Sequence, residues 1–121
     1  MRSSLRCRLI KPVAVEADAA RLAGVVTVED DSIREAVRTL CARFDANYWL
    51  DKDKHGGFPH DFHRAMAEAG WLGICTPEAY GGSGLGITEA AIMMQAIAQS
   101  GAGMSGASAV HMNIFGLNPV V

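Results

Sequence analysis

Four side chains able to bind a metal lie close together in this chain: His55, His60, Asp61 and His63. His60 and His63 are three residues apart, so a helix would put both on one face. A metal site asks for three or four ligands in fixed geometry. Gly56-Gly57 separates His55 from the others and leaves its position undefined, so solvated residues of a first helical turn are the simpler account. The run Gly81-Gly82-Ser83-Gly84-Leu85-Gly86 raises phosphate binding, but it fails both standard patterns. Ile87 stands where a dinucleotide fingerprint needs its third glycine, and Ile87-Thr88 replaces the Lys-Ser/Thr of a phosphate loop. These glycines are read as backbone freedom for a tight path with positive φ. Glu78 and Glu89 flank the run with no partner evident to shift their ionisation. Ser105 and Ser108 need a base to act as nucleophiles. His111 follows Ser108 by three residues, but no orienting acid or oxyanion donor accompanies it.

With 121 residues the chain has the length of one domain. Half of it is apolar and a fifth charged, a globular profile. A net charge of −2 gives no electrostatic reason to expect nucleic acid or an anionic membrane as partner. Cys7, Cys41 and Cys75 are odd in number and widely spaced, which argues against a disulfide framework and for a reducing compartment. Cys41 and Cys75 sit among apolar neighbours and are expected as buried, inert thiols. No Asp, Glu, Lys or Arg occurs from Ala90 to Val121. Gln95, Gln99, Ser100, Gly101, Gly103, Ser105, Gly106, Ser108 and Asn113 interrupt that stretch and argue against a membrane span. Two helices buried on nearly all sides in a larger protein are the alternative.

The elements follow from spacing. Ser32-x-x-Glu35 predicts a capping box opening a helix whose apolar stripe is Ile33, Val37, Leu40, Cys41, Phe44 and Tyr48. Asp51 to Gly57 reads as a polar hinge. Pro59 suits a first helical position. Phe62, Ala65, Met66 and Ala69 then form one stripe, stopped by Gly70 as a left-handed residue with Trp71 folding back on Met66. A third helix is expected from Ile87 or Thr88 to Ser100, ended by Gly101. A Gly103–Gly106 turn leads to a fourth helix from about Ser105, which Asn118-Pro119 kinks or ends. Gly24 to Val28 is the only strand-compatible run. The predicted class is all-α, with residues 1–30 a poorly ordered extension and 31–121 the helical domain. Arg2, Arg6, Arg8 and Lys11 precede any acid, so the extension could act as a mitochondrial transit segment or have no structural meaning.

Several motifs occur in the order found in one known family. They are Phe58-Pro59 at a helix start, Gly70-Trp71-Leu72-Gly73-Ile74, Thr76-Pro77-Glu78-Ala79-Tyr80-Gly81-Gly82, Ser83-Gly84-Leu85-Gly86, and the small-residue helix ending Phe115-Gly116-Leu117-Asn118-Pro119. Together, from Asp31 to Val121, the chain resembles the amino-terminal helical domain of the acyl-CoA dehydrogenase flavoproteins. That resemblance implies an orthogonally packed helical domain, incomplete here, of an enzyme that removes hydrogen across the α,β bond of an acyl-CoA thioester with FAD as acceptor. In such enzymes the glutamate base and most FAD contacts come from later domains. It therefore implies no catalytic residue in this chain, weak or absent FAD binding by it, and no turnover alone. Ala107, His111 and Phe115, at i, i+4 and i+8, are the implied acyl-pocket residues. The implied partners are the acyl-CoA substrate and the remainder of a homo-oligomeric flavoprotein, dimer or tetramer, in the cytoplasm or mitochondrial matrix. A related flavin monooxygenase, an acyl-CoA oxidase and a stand-alone helical interaction module are the alternatives.

Overall fold

The computed structural model describes residues 28–116. Cys7, residues 1–27 and the Asn118-Pro119 stop lie outside them. The elements are α1 (Val28–Cys41), α2 (Ala46–His55), α3 (His60–Glu68), short 3₁₀ turns at Trp71–Gly73 and Glu78–Tyr80, α4 (Ile87–Ile97) and α5 (Gly103–His111). A π turn follows each of the last two helices, at Ala98–Ala102 and Met112–Gly116. No strand occurs among the described residues, so the fold is all-helical as the periodicity predicts.

α1 starts earlier than the capping box predicts. Ser32 lies in its second turn, behind Asp30 and Asp31, whose negative charges suit the positive end of a helix. Ile33, Val37 and Cys41 are buried at i, i+4 and i+8, and Arg34 reaches across to donate to Gln95 on α4 at 2.8 Å. The stripe does not run on to Tyr48 in one helix. A turn at Ala42–Phe44 breaks it, and Asp45 then caps α2 by accepting from the Tyr48 N–H at 2.9 Å. The expected hinge from Asp51 is mostly helix, with His55 Nδ1 held 2.9 Å from Asp51 Oδ1 one turn back; only Gly56 and Gly57 leave it.

Pro59 is the N-cap of α3 and not its first residue, with the His63 N–H donating to its carbonyl at 3.0 Å. Phe62, Ala65 and Met66 are buried, whereas Ala69 is exposed. Gly70 takes the left-handed φ of +82°, and its N–H donates to Ala67 at 3.0 Å, one of the two bonds of the expected stop. The core is an edge-to-face aromatic chain. Phe62, with no exposed surface, meets Phe44 at 5.4 Å and Trp49 at 5.1 Å between ring centroids, and Tyr48 joins both neighbours at 5.1 Å.

α1 lies chiefly along α4, while α5 packs on α3 and α4. Gly101, at φ +99°, separates α4 from α5 as its sequence position suggests. Gly106 departs from expectation: it is a buried residue inside α5, not part of a turn. A Cβ there would come within 3.1 Å of Ile97 and 3.3 Å of Trp49, so the bare backbone is what lets α2, α4 and α5 converge.

Residues 73–86 fold back on themselves. The Ser83, Gly84 and Leu85 N–H groups donate to Gly73, Thr76 and Ile74 at 3.0, 2.8 and 2.9 Å. Gly82 passes so close to Thr76 that a Cβ would collide with its carbonyl oxygen, whereas Gly81, at φ +82°, faces open space. Gly82→Ala should therefore cost about 3 kcal/mol of stability through overpacking against backbone. Gly81→Ala should cost about 1 kcal/mol through its dihedral alone. Urea unfolding of the two variants checks the order, and equal losses would remove the steric account.

Candidate functional site

The last two helices carry one side chain after another that the fold does not bury. On α4 these are Ile87, Ala91 and Gln95, with Met94 half-buried; on α5 they are Met104, Ser108 and His111, with Met112 just beyond. Each helix is buried along one face only, through Ala90, Met93, Ala96 and Ile97 on α4 and Gly106, Ala107, Ala109 and Val110 on α5. Within this chain, then, the two rods are not covered on nearly all sides. Between them runs an open groove of about 310 Å³ lined by Met94, Met104, Ala107, Ser108 and His111.

Of Ala107, His111 and Phe115, the first two line this groove together. Phe115 is half-buried against the core and touches the groove only through His111, the ring centroids 5.3 Å apart and tilted by 48°. The helix turns wider after His111, and a π turn moves i+8 away from the α-helical face. Met94 escaped sequence reasoning because it comes from another helix. Met104 was missed although its spacing from Ala107, Ser108 and His111, at i, i+3, i+4 and i+7, was a signal available in the sequence. Ser108 and His111 both line the groove, and no hydrogen bond joins them among the described residues.

A single polar tie fixes the end of α5. His63 on α3 and Asn113 in the following π turn lie 3.0 Å apart, Nε2 to Oδ1, the geometry of an imidazole N–H donating to the amide oxygen. The Phe58 ring packs on both His60 and His63 at 4.9 and 5.3 Å. The three histidines of the candidate ligand pattern are thus occupied with the Asp51 carboxylate, ring packing and an amide. Among the described residues no three His, Cys, Asp or Glu side chains gather to hold a metal.

Glu89 does have a partner: its Oε2 accepts the Gly86 N–H at 2.8 Å and caps α4. The remaining loop N–H groups are equally engaged, Gly81 with Glu78 and Gly82 with Pro77 as well as the three already described. Phosphate cradles work through free N–H groups. From Gly81 to Gly86 every N–H has an internal acceptor, so this loop does not fit the pyrophosphate of a flavin dinucleotide.

Cys41 is buried as expected and Cys75 only half so, with its thiol donating to Gly86 O at 3.5 Å. Burial pushes the Cys41 thiol up, opposed by a hydrogen bond with Ser100. Burial also pushes Cys75 up, aided by the Glu89 charge.

No helix of the described residues is long and apolar enough to cross a membrane. An all-helical unit with an apolar groove and an internally bonded glycine loop is the class this geometry defines. Residues 27–121 match the family model described as "Acyl-CoA dehydrogenase, N-terminal domain", and the chain belongs to that family, which is FAD-dependent. It is similar to acyl-CoA dehydrogenase FadE12 of Mycobacterium tuberculosis, 30% identical over 76 residues, which is 63% of this chain and 20% of that protein. It is also similar to "Probable acyl-CoA dehydrogenase YngJ" of Bacillus subtilis, 32% over 89 residues, 72% of this chain and 23% of that one. Benzylmalonyl-CoA dehydrogenase of Aromatoleum aromaticum matches at 34% over 59 residues, 49% and 16%. The chain thus spans about a fifth of the length of the curated relatives it matches. No solved structure matches it significantly.

Two outcomes test this geometry. In a double-mutant cycle, His63→Ala and Asn113→Ala should show a coupling of about 1 kcal/mol by chemical denaturation; additivity would mean the contact carries no energy. The thiols set an alkaline limit. Their folded pKa values are raised, so unfolded chains lose these protons first and stability is fully present below the ordinary thiol value of 9.0. It should fall as pH rises beyond that value, and more gently in Cys41→Ala. An identical slope in that variant would refute the assignment.

Proposed function

We propose that this chain supplies the wall of the acyl-binding pocket in an FAD-dependent acyl-CoA dehydrogenase that converts an acyl-CoA thioester to its α,β-unsaturated product. The observation that carries the reading is the groove of Met94, Met104, Ala107, Ser108 and His111. An apolar channel with few polar groups is what a fatty chain requires, and Ala107, the smallest side chain in it, sets its depth. Phe115 backs the groove through the His111 ring. Residues 31–121 form the contributing domain, and the flavin and the proton-abstracting base are supplied by other parts of the enzyme. Bound FAD would accept the hydride; this chain's share is to orient the acyl group and keep water from it. Purified alone, the chain binds flavin weakly or not at all and does not turn over. The exposed Ile87, Met104 and Met112 side chains on α4, on α5 and just beyond it support this reading, since exposed apolar surface of that kind is normally covered in an assembled protein.

A chimera tests it. Residues 27–121 replace the matching segment of full-length Probable acyl-CoA dehydrogenase YngJ, and acyl-CoA oxidation is followed by dye reduction. Ser108→Phe, at an exposed position, should fill the groove and raise KM for a long-chain acyl-CoA by about tenfold, with flavin content unchanged. A chimera that retains flavin and turnover but whose KM ignores Ser108→Phe would remove the acyl-wall assignment.

A further inference from the structure

Methionines line the groove from both helices, Met94 from α4 and Met104 from α5. Met104 is 78 % exposed and also lines the neighbouring cleft beside Trp49 and Leu50, so its thioether stands between two depressions. Met112, 65 % exposed, lies just beyond α5 and lines neither of them. Met66 and Met93 have no exposed surface at all. The same sulfur chemistry is thus held in three settings: open within the groove, open outside it, and sealed in the core. Oxidation to the sulfoxide turns a flexible apolar side chain into a polar one. At Met66 or Met93 that change would strike the core. At Met104 it leaves the core alone and alters the surface that the groove offers a ligand.

Resting on the acyl-pocket reading above, we infer that Met104 is a modification site for hydroperoxides, and that its sulfoxide closes the groove to an apolar chain. The thioether sulfur attacks the peroxide oxygen that carries hydrogen, and the O–O bond breaks as the S–O bond forms. The proton passes to the departing oxygen, which leaves as water from hydrogen peroxide or as an alcohol from an organic hydroperoxide. Sulfur gives up two electrons and the peroxide takes them. A hydrocarbon lying along the modified groove would strip water from the new oxygen and return no hydrogen bond, a loss of roughly tenfold in affinity. A chain already seated would cover the sulfur, so the modification acts on the empty groove. Reduction of the sulfoxide restores the apolar surface.

The test treats the 121-residue chain with hydrogen peroxide, follows each methionine by peptide mass spectrometry, and titrates octanoyl-CoA against the Ala107 methyl resonance. Met104 and Met112 should oxidise at least about tenfold faster than Met66 and Met93. Bound octanoyl-CoA should slow Met104 and leave Met112 unchanged. The oxidised chain, with an unaltered circular dichroism spectrum, should bind octanoyl-CoA about tenfold more weakly. Met104→Leu, treated alike, should keep its affinity. If Met104 oxidises no faster than the buried pair, or the oxidised chain binds as tightly as before, the inference is overturned while the acyl-pocket reading stands. Affinity lost equally in treated Met104→Leu overturns it too, because another methionine would then be the cause. So does unfolding of the treated chain, or a Met104 that bound ligand fails to protect. If octanoyl-CoA leaves the Ala107 methyl of the untreated chain unmoved, the acyl-pocket reading fails and this inference with it.

Discussion

The packing of Phe62 is the constraint on which the rest of the structure depends. Its ring is fully buried and meets the edges or faces of Phe44 and Trp49, so one side chain on α3 fixes the turn after α1 and the middle of α2. Complete burial of such a ring contributes roughly 1.5–3 kcal/mol, and each well-oriented aromatic pair about 0.5–1.5 more. Trp49 passes the constraint on. Its far edge lies against Gly106, which brings α5 in close enough for Ala109 and Val110 to be buried. The groove between α4 and α5 is thus positioned from the aromatic chain outward. Tyr48 and Trp49 bring a cost with them, since the phenol and indole N–H are buried without hydrogen-bond partners.

The glycine loop answers a different demand. A chain that must reverse between Ile74 and α4 leaves backbone donors and acceptors that burial would penalise. Gly82 allows the return strand of the loop to touch Thr76, and the N–H groups from Gly81 to Leu85 then find carbonyls within the same loop. Glu89 takes the last, at Gly86, and starts α4. A glycine cluster of nucleotide-binding appearance is consumed by its own fold. Carbonyls between Gly73 and Glu78 and the Glu89 carboxylate take the N–H groups of these six residues, which therefore cannot also hold a phosphate.

Local signals were readable wherever one residue type decides the backbone. Gly70 and Gly101 adopt the positive φ values that end their segments, and the stripe Phe62, Ala65, Met66 is buried as its period requires. Readings failed where two local accounts competed. Ser32-x-x-Glu35 satisfies a capping pattern, yet α1 begins a turn earlier, at Val28, with Asp30 and Asp31 near its positive end. Asp51 to His55 is polar throughout and lacks a stripe, which hides a solvent-facing helix held by Trp49 and an i, i+4 pair. Gly106 resembles a turn residue because its use is tertiary, the approach of Trp49 and Ile97. Two of the five residues that line the groove, Ala107 and His111, were named together from the sequence because they share a helix, whereas Met94 belongs to α4 and no period within α5 could reveal it.

The orientation of the groove follows from how α5 divides its residues. Gly106, Ala107, Ala109 and Val110 face inward and are small or branched, so the helix sits close to α4 and leaves little depth between them. Larger residues at those sites would lift α5 and widen the groove. Met104, Ser108 and His111 then face away from the core, and the wider π turn beginning at Met112 swings Phe115 back under His111 instead of beyond it. The His63–Asn113 bond holds that turn from the far side. A change of register there would rotate Phe115 out from beneath the imidazole. The polar end of the groove is therefore set by α3, an element that does not line it.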